Sequence, residues 1–131
     1  FMALGFALPA AIGAKIARPD RPVAVVCGDG GFLFTCQELA TAVKYGLDIT
    51  IVLFNNDRYG AIHRHQERRY DGRTVATELA NPDFVALAEA FRARGVRLRS
   101  PKELRPALEE SLRARELTLI EVPAGSIPAP W

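Results

Sequence analysis

Two hydrophobic patterns alternate along the chain, one with the period of a helix and one typical of buried strands. Residues 23–27 and 49–54 are continuous apolar runs, which predicts strands buried on both faces. Residues 96–99 and 117–122 are predicted as two further strands. The predicted helices lie between and around the strands, at residues 9–17, 35–45, from about 60, 81–94 and 100–115.

Capping and turn residues set the expected ends of these elements. A sharp turn is predicted at residues 28–31, directly after the first strand. Residues 35–38 and 100–103 have the capping-box pattern, in which the first and fourth side chains bond each other's backbone N–H groups. Asn81 is predicted as the N-cap of its helix, with Pro82 in the first turn.

Strands that alternate with helices indicate an α/β fold in three layers, a mainly parallel sheet with helices on both faces. The chain has 131 residues and a mass of 14.4 kDa, enough for one domain. We expect that domain to span residues 1–123 and residues 124–131 to form a C-terminal tail.

The composition narrows the class of protein. Hydrophobic residues make up 49% of the chain and charged residues 24%, as in ordinary soluble domains. The net charge of +2 gives no electrostatic reason to expect nucleic acid as a partner. No apolar run approaches the roughly 20 residues that cross a membrane. With only Cys27 and Cys36, we expect a reduced, cytoplasmic protein, and the first residues read as the interior of a longer chain.

Polar residues follow the first two strands. Gly28-Asp29-Gly30-Gly31 follows the first strand, and Asn55-Asn56 follows the second. In a parallel sheet, neighbouring strands place such residues at the same edge, where ligands bind. Carboxylate and amide oxygens suit Mg²⁺ or Ca²⁺, and glycines let backbone N–H groups approach an anion. The pattern predicts a site for a phosphorylated ligand bridged by a divalent cation.

Other readings of the glycine-rich segment stay open at this point. The Gly-x-Gly-x-x-Gly and Gly-x-x-x-x-Gly-Lys-Ser/Thr patterns are absent, which argues against a dinucleotide-binding domain and a P-loop. A tight strand-to-helix turn in which Asp29 acts only as a cap would also produce this sequence.

The spacing of the two motifs adds a resemblance. Gly-Asp-Gly, 24 residues and Asn-Asn together resemble the cofactor fingerprint of thiamine diphosphate-dependent enzymes. Further segments resemble the benzoylformate decarboxylase and acetolactate synthase branch of that family: residues 4–14, 38–42, 59–60, 81–84 and 119–122. The resemblance covers residues 3–123 and identifies the chain as the C-terminal, diphosphate-binding domain of a longer enzyme.

The resemblance implies roles for individual residues. Asp29 and Asn56 would bind the cation through their side chains, and Arg58 through its backbone carbonyl. The carbonyl of Met2 would accept a hydrogen bond from the aminopyrimidine, and Leu4 would wedge between the cofactor rings. The remaining cofactor-binding residues would be Gly28, Gly30, Gly31, Tyr59 and Gly60, most of them through backbone N–H groups.

The implied activity is decarboxylation of a 2-oxo acid, or carboligation as in acetolactate synthase, by covalent catalysis on the cofactor. The other half of each site would come from a pyrimidine-binding domain of the same or a partner subunit. The isolated domain would then be inactive, and the full protein a homodimer or homotetramer. A non-catalytic scaffold or regulatory relative, and an unrelated domain that binds Mg²⁺ and phosphate, are the alternatives.

The helix after the second motif bears on the substrate. Ala61, Ile62 and His65 share one helical face, and the resemblance places that face in the substrate pocket. Pyruvate decarboxylase-like enzymes have glutamate where Ile62 stands, which argues against that subgroup. His65 has a side chain that exchanges protons near pH 7, although a solvated histidine fits as well. His63 is expected to project elsewhere.

One position departs from the family pattern. Many relatives have glycine where Arg92 stands. This position lies far along the chain from both motifs, so we expect it to affect local packing and not the cofactor site.

Overall fold

A computed structural model describes residues 3–125 of the chain. Within this range all four strands run parallel, in the spatial order β1-β2-β4-β3. The strands are β1 (Val23–Gly28), β2 (Ile49–Asn55), β3 (Arg94–Arg97) and β4 (Thr118–Pro123). The predicted three-layer α/β fold is confirmed.

Six α-helices surround the sheet in the described part of the chain. They are α1 (Ala7–Ala17), α2 (Asp29–Leu33), α3 (Leu39–Lys44), α4 (Gly60–Arg69), α5 (Phe84–Ala90) and α6 (Leu104–Ala114). Short 3₁₀ turns, Cys36–Glu38 and Pro101–Glu103, lead into α3 and α6. Between residues 3 and 125, no helix has the length and apolar character needed to cross a membrane.

The two faces of the sheet carry separate cores. Helices α1, α3 and α5 cover one face, where Leu8, Leu39 and Phe84 pack with side chains of β2 and β4. Helix α6 covers the other face and packs on Val52 and Ile120. Both faces of β2 and β4 are therefore buried, as continuous apolar runs predict.

The prediction that β1 is buried on both faces is wrong. Burial alternates along β1, and the side chain of Val26 is 64% exposed. The reason is that β1 is an edge strand and α6 packs over β2 and β4, which leaves the outer face of β1 uncovered. A run of valines does not distinguish a central strand from an edge strand in this position.

The capping box predicted at residues 35–38 does not form. The hydroxyl of Thr35 donates instead to the carbonyl of Gly5, at 2.9 Å. The carboxylate of Glu38 accepts from the hydroxyl of Thr41, at 2.7 Å. Thr35 therefore ties the N-terminal segment to this turn, and α3 begins only at Leu39.

The start of α5 lies two residues later than predicted. Asp83, and not Asn81, is the N-cap, and its carboxylate accepts from the backbone N–H of Ala86 at 3.0 Å. The capping box at residues 100–103 is also shifted, because Glu103 accepts from the N–H of Arg99 rather than from that of Ser100. Local sequence offered two neighbouring caps for α5, and tertiary contacts of Asn81 decided between them.

The end of α5 lies earlier than predicted. The N–H of Ala93 donates to the carbonyl of Ala88 at 2.9 Å, and Arg92 has φ 64°, the geometry of a Schellman motif. The chain therefore turns before Gly95, which was expected to stop the helix. Gly95 lies in β3, where an added Cβ would be 2.7 Å from Cγ1 of Val85, so glycine permits close packing of α5 on the strand.

Candidate functional site

A cleft of about 250 Å³ opens at the carboxyl ends of β1 and β2, where Gly28 pairs with Phe54. It is lined by Leu4, Gly28, Asp29, Gly30, Gly31, Phe54, Asn56, Arg58, Tyr59, Gly60, Ala61, Ile62 and Ala124. The cleft thus contains every residue predicted to bind cofactor or cation except Met2, which lies outside the described residues.

Asp29 joins the ends of the two strands. Asp29 is buried, with 2% of its surface exposed. Oδ1 accepts from the N–H of Gly30 at 2.9 Å, and Oδ2 accepts from the N–H of Asn56 at 3.2 Å. The predicted approach of Asp29 and Asn56 at one sheet edge is therefore present in the structure. Asp29 also opens α2, so residues 28–31 form the start of a short helix and not a plain turn.

The loop after β2 is held in place by the segment that follows α4. The N–H of Tyr59 donates to the carbonyl of Thr77, and that of Leu79 donates to the carbonyl of Asp57, both at 2.8 Å. The carbonyl of Arg58 accepts from the N–H of Gly60 at 2.9 Å and keeps its second lone pair. Residues 77–79, between α4 and α5, thus fix the loop that carries Arg58.

Two glycines of the cleft are required by contacts within the protein. A Cβ at Gly30 would lie 2.5 Å from Cε1 of Tyr59, and one at Gly60 would lie 2.9 Å from Nδ2 of Asn56. These distances are shorter than real Cβ contacts, so side chains at both positions would displace the cleft wall.

Two other glycines of the cleft have free space beside them. A Cβ at Gly28 would meet nothing within 4 Å, and the nearest atom to one at Gly31 would be Cδ2 of Leu4 at 3.9 Å. The packing of the chain does not demand glycine there. Added side chains would instead occupy the space of the cleft, which a ligand would fill.

Asn81 is a residue of the site that sequence reasoning assigned wrongly. Its Nδ2 lies 2.8 Å from Oδ2 of Asp29 and 2.9 Å from Oδ1 of Asn55. Asn81 therefore donates to the Asp29 carboxylate and does not cap helix α5. Its Oδ1 is buried without a hydrogen-bond partner among the described residues. Asp83 is also a residue type favoured at N-caps, and this is the signal in the sequence that Asn81 is not needed as the cap of α5.

The donor set limits what kind of cation this cleft could hold. Across residues 3–125, no group of three or more His, Cys, Asp or Glu side chains is arranged to hold a metal ion. The oxygens that the residues predicted as ligands bring to the cleft are one carboxylate at Asp29, one amide at Asn56 and the carbonyl of Arg58. This is a hard oxygen set, which suits Mg²⁺ or Ca²⁺ better than zinc.

The charge of Asp29 also reaches Cys27, two residues earlier in the chain. Burial, and in second place the nearby negative charge of Asp29, raise the pKa of the Cys27 thiol to about 12. The thiol is therefore protonated at neutral pH and has no nucleophilic character.

The sequence matches a family model over residues 1–122, and the model describes the thiamine pyrophosphate (TPP) enzyme, C-terminal TPP binding domain. The chain belongs to this family of TPP-binding domains. Thiamine pyrophosphate is another name for thiamine diphosphate, so the family expected from the two motifs is confirmed.

Individual relatives of this TPP-binding domain are acetolactate synthases. Acetolactate synthase of Bacillus subtilis is 41% identical over 120 residues, which are 92% of this chain and 21% of the relative. The acetolactate synthase large subunit of Parasynechococcus marenigrum is 40% identical, over 91% of this chain and 20% of the relative. The mitochondrial catalytic subunit of acetolactate synthase from Saccharomyces cerevisiae is 38% identical, over 91% of this chain and 17% of the relative. The chain spans about a fifth of the length of these relatives.

Helix α4 of the TPP-binding domain places the predicted substrate residues unequally. Ala61 and Ile62 line the cleft, whereas His65 is exposed to solvent and does not line it. His63 is the better buried histidine, and its Nδ1 lies 2.8 Å from the hydroxyl of Thr77. His63 does not line this cleft either.

His63 lines a second cleft of about 230 Å³, which adjoins the first. The two clefts share Asn56, Arg58, Gly60 and Ala124. Sequence periodicity ranked the histidines by helical face alone, and it could not include the 77–79 segment that packs against His63.

Proposed function

We propose that the cleft binds the diphosphate of thiamine diphosphate through a divalent cation, Mg²⁺ or in its place Ca²⁺. Asp29 and Asn56 would hold the cation by their side chains and Arg58 by its carbonyl. The observation that carries this proposal is the meeting of Asp29 and Asn56 in one glycine-lined cleft at the sheet edge. Such edges are where parallel α/β sheets bind ligands.

The residues present fit a phosphorylated cofactor. The oxygen set suits a hard cation that bridges phosphates. Free space beside Gly28 and Gly31 would let a diphosphate approach the backbone N–H groups closely. Tyr59 and Gly60, at the start of α4, would shape the wall beside the diphosphate and not supply N–H donors to it, because their N–H groups donate to the carbonyls of Thr77 and Arg58.

The cofactor rings would lie beside Leu4. This side chain is 48% exposed, lines the cleft and approaches Gly31. A bulky apolar side chain at this place supports the role implied for it, as the wedge between the two rings. The hydrogen bond from the aminopyrimidine to the carbonyl of Met2 belongs to the same proposal.

We infer that this domain belongs to a longer protein, here called the full chain, and that the full chain is a 2-oxo acid decarboxylase or an acetolactate synthase-like carboligase. The bound cofactor would supply an electron sink for loss of carbon dioxide from the substrate. Ala61 and Ile62 would form an apolar wall of the substrate pocket, which excludes water and carries no acid or base. His65 remains a candidate for proton transfer only if another domain brings it into the site.

A complete site would need a second domain. Leu4 and Ile62 are 48% and 46% exposed at the cleft, which therefore lacks a covering wall among residues 3–125. A pyrimidine-binding domain of the same or a partner subunit would supply that wall, in a homodimer or homotetramer. The family match leaves no place for an unrelated phosphate-binding domain, and the non-catalytic relative is the remaining alternative.

Product analysis of the full chain tests this activity. The chain would be supplied with thiamine diphosphate, Mg²⁺ and pyruvate, and carbon dioxide, acetaldehyde and acetolactate would be quantified. We expect carbon dioxide release that is lost in Asp29→Ala and retained in Gly13→Ala, a variant in α1 outside the cleft. Acetolactate would indicate carboligation and acetaldehyde simple decarboxylation. A full chain that binds cofactor but turns over no 2-oxo acid would contradict the enzymatic proposal.

A further inference from the structure

A series of hydrogen bonds connects a buried carboxylate of β4 with the carboxylate at the cleft. Oε1 of Glu121 accepts from Nδ2 of Asn55 at 2.8 Å. Oδ1 of Asn55 accepts from Nδ2 of Asn81 at 2.9 Å, and the same amide donates to Oδ2 of Asp29 at 2.8 Å. The series therefore ends on the residue that we assign to the cation.

The orientation of each amide in this series is determined by its neighbours. Glu121 is ion-paired with Arg97, whose Nε lies 2.7 Å from Oε2, so the carboxylate can only accept hydrogen bonds. Asn55 must therefore turn its NH₂ group toward Glu121 and its oxygen toward Asn81. Asn81 must in turn point its own NH₂ group at Asn55, Asp29 and, at 3.2 Å, Oδ1 of Asp57, because a carbonyl there would face three acceptors.

The hydrogen bonds of Asp29 fix its side chain without neutralising it. Oδ2 accepts from Asn81 and from the N–H of Asn56, and Oδ1 accepts from the N–H of Gly30. These three donors are uncharged groups, so none of them forms an ion pair with the carboxylate. Of about four lone-pair positions, three are occupied, and the remaining one belongs to Oδ1.

While the amide nitrogen of Asn81 donates to Asp29, the amide oxygen of Asn81 has no hydrogen-bond partner among the described residues. Its Oδ1 is buried without a partner among residues 3–125, which destabilises the folded chain. Asn81 does not cap α5, because Asp83 does. If Asn81 contributed only to stability, an apolar side chain without an unpaired acceptor would suit this position better.

We propose that Asn81 is a positioning residue for Asp29, which it holds in the one rotamer that presents a free carboxylate lone pair to a cation in the cleft. Asn55 and Glu121 orient Asn81. The inference rests on the proposed cation-binding function of Asp29. Partners that orient a metal ligand typically affect metal affinity 10- to 100-fold.

Titration of the full chain with Mn²⁺, with and without thiamine diphosphate, tests the proposal, because free Mn²⁺ is measured directly by its paramagnetic resonance. We expect Asn81→Ala to raise the dissociation constant of Mn²⁺ about 10- to 100-fold, and to lower Tm no more than Asp83→Ala does, since loss of the donor is partly offset by removal of the unpaired acceptor. Asp83→Ala is the matched control from the same loop. It removes the N-cap of α5 and one of the two carboxylates that pair with Arg97, and it leaves the pair of Arg97 with Glu121 in place. It should lower Tm while the affinity for Mn²⁺ stays within about twofold.

The outcomes separate the two levels of the proposal. An Asn81→Ala chain that binds Mn²⁺ as tightly as the wild type would overturn the role of Asn81 and leave the proposed function standing. Losses of Tm and of affinity in parallel in both variants would reduce Asn81 to a structural residue. A wild-type chain without Mn²⁺ binding would overturn the proposed function itself. If Asn81→Ala does not fold, Asn81→Leu keeps the volume, lacks the donor and must show the same loss.

Discussion

The ring of Tyr59 packs directly on the backbone of Gly30, so closely that a Cβ at Gly30 would lie 2.5 Å from Cε1 of Tyr59. Gly30 belongs to α2, after β1, and Tyr59 belongs to the loop after β2. The ring also meets Phe34 edge-on, with 6.4 Å between centroids. This contact sets the distance between the two segments that carry the candidate cation ligands.

Gly30→Ala should therefore lower the free energy of unfolding by about 1–3 kcal/mol, the usual cost of overpacking a tight contact. The same substitution should cost less in a Tyr59→Ala background, where the ring is gone. Urea unfolding of the four chains of this double-mutant cycle measures the coupling. An equal cost of Gly30→Ala in both backgrounds would show that the ring is not what excludes a side chain.

Gly31→Ala should have the opposite effect on stability. Gly31 is helical and an added methyl group meets no protein atom closer than 3.9 Å, so alanine should add about 0.5–1 kcal/mol of stability. The methyl group would occupy the cleft, and we expect the affinity for thiamine diphosphate to fall about tenfold, or 1.4 kcal/mol.

Gly13→Ala is the matched control for that variant. Gly13 is also helical, and an added Cβ there meets nothing within 4 Å, but it does not line the cleft. It should bring the same gain in stability with no change in affinity. If both alanine variants bound the cofactor equally well, the space beside Gly31 would not be ligand space.

Arg92→Gly should stabilise the chain by about 1 kcal/mol, because Arg92 has φ 64° in the Schellman motif at the end of α5. Arg105→Gly, in the exposed first turn of α6, should cost up to about 1 kcal/mol. Thermal unfolding of both variants checks the opposite signs. A loss of stability in Arg92→Gly would mean that the arginine side chain contributes more than the strained backbone costs.

The raised pKa of Cys27 predicts slow alkylation. Because burial and the charge of Asp29 raise this pKa to about 12, the thiol should stay protonated through pH 10 in the folded chain. In the unfolded chain the pKa should return to about 8.5, so that stability falls as pH rises above that value. Mass spectrometry after timed exposure to iodoacetamide at pH 7–10 follows Cys27 alone. Rapid modification at pH 8 in the folded chain would contradict the assigned environment.

The sequence was sufficient for features that depend on local pattern. The apolar runs located β2 and β4, and the polar residues after β1 and β2 located the cleft, because parallel neighbours end at one edge. The exposure of Val26 depends on which strand stands at the sheet edge, and no local pattern contains that order.

The features that were missed depend on distant residues. Asn81 was assigned to a helix end because its partner Asp29 lies 52 positions away in the sequence. The surroundings of His63 cannot be predicted from local pattern, because Thr77, whose hydroxyl lies beside its Nδ1, belongs to a connection without periodicity. In both cases a tertiary hydrogen bond decided the role of a side chain that local rules place elsewhere.

The most direct measurement is a calorimetric titration of the full chain with thiamine diphosphate, with Mg²⁺, with EDTA, and with Asp29→Ala in place of the wild type. We predict binding that requires the divalent cation and is lost in Asp29→Ala, while Gly13→Ala binds as the wild type does. Binding that is equally tight in EDTA or in Asp29→Ala, or no binding by the wild-type chain with Mg²⁺, would contradict a cation-bridged diphosphate site at Asp29 and Asn56.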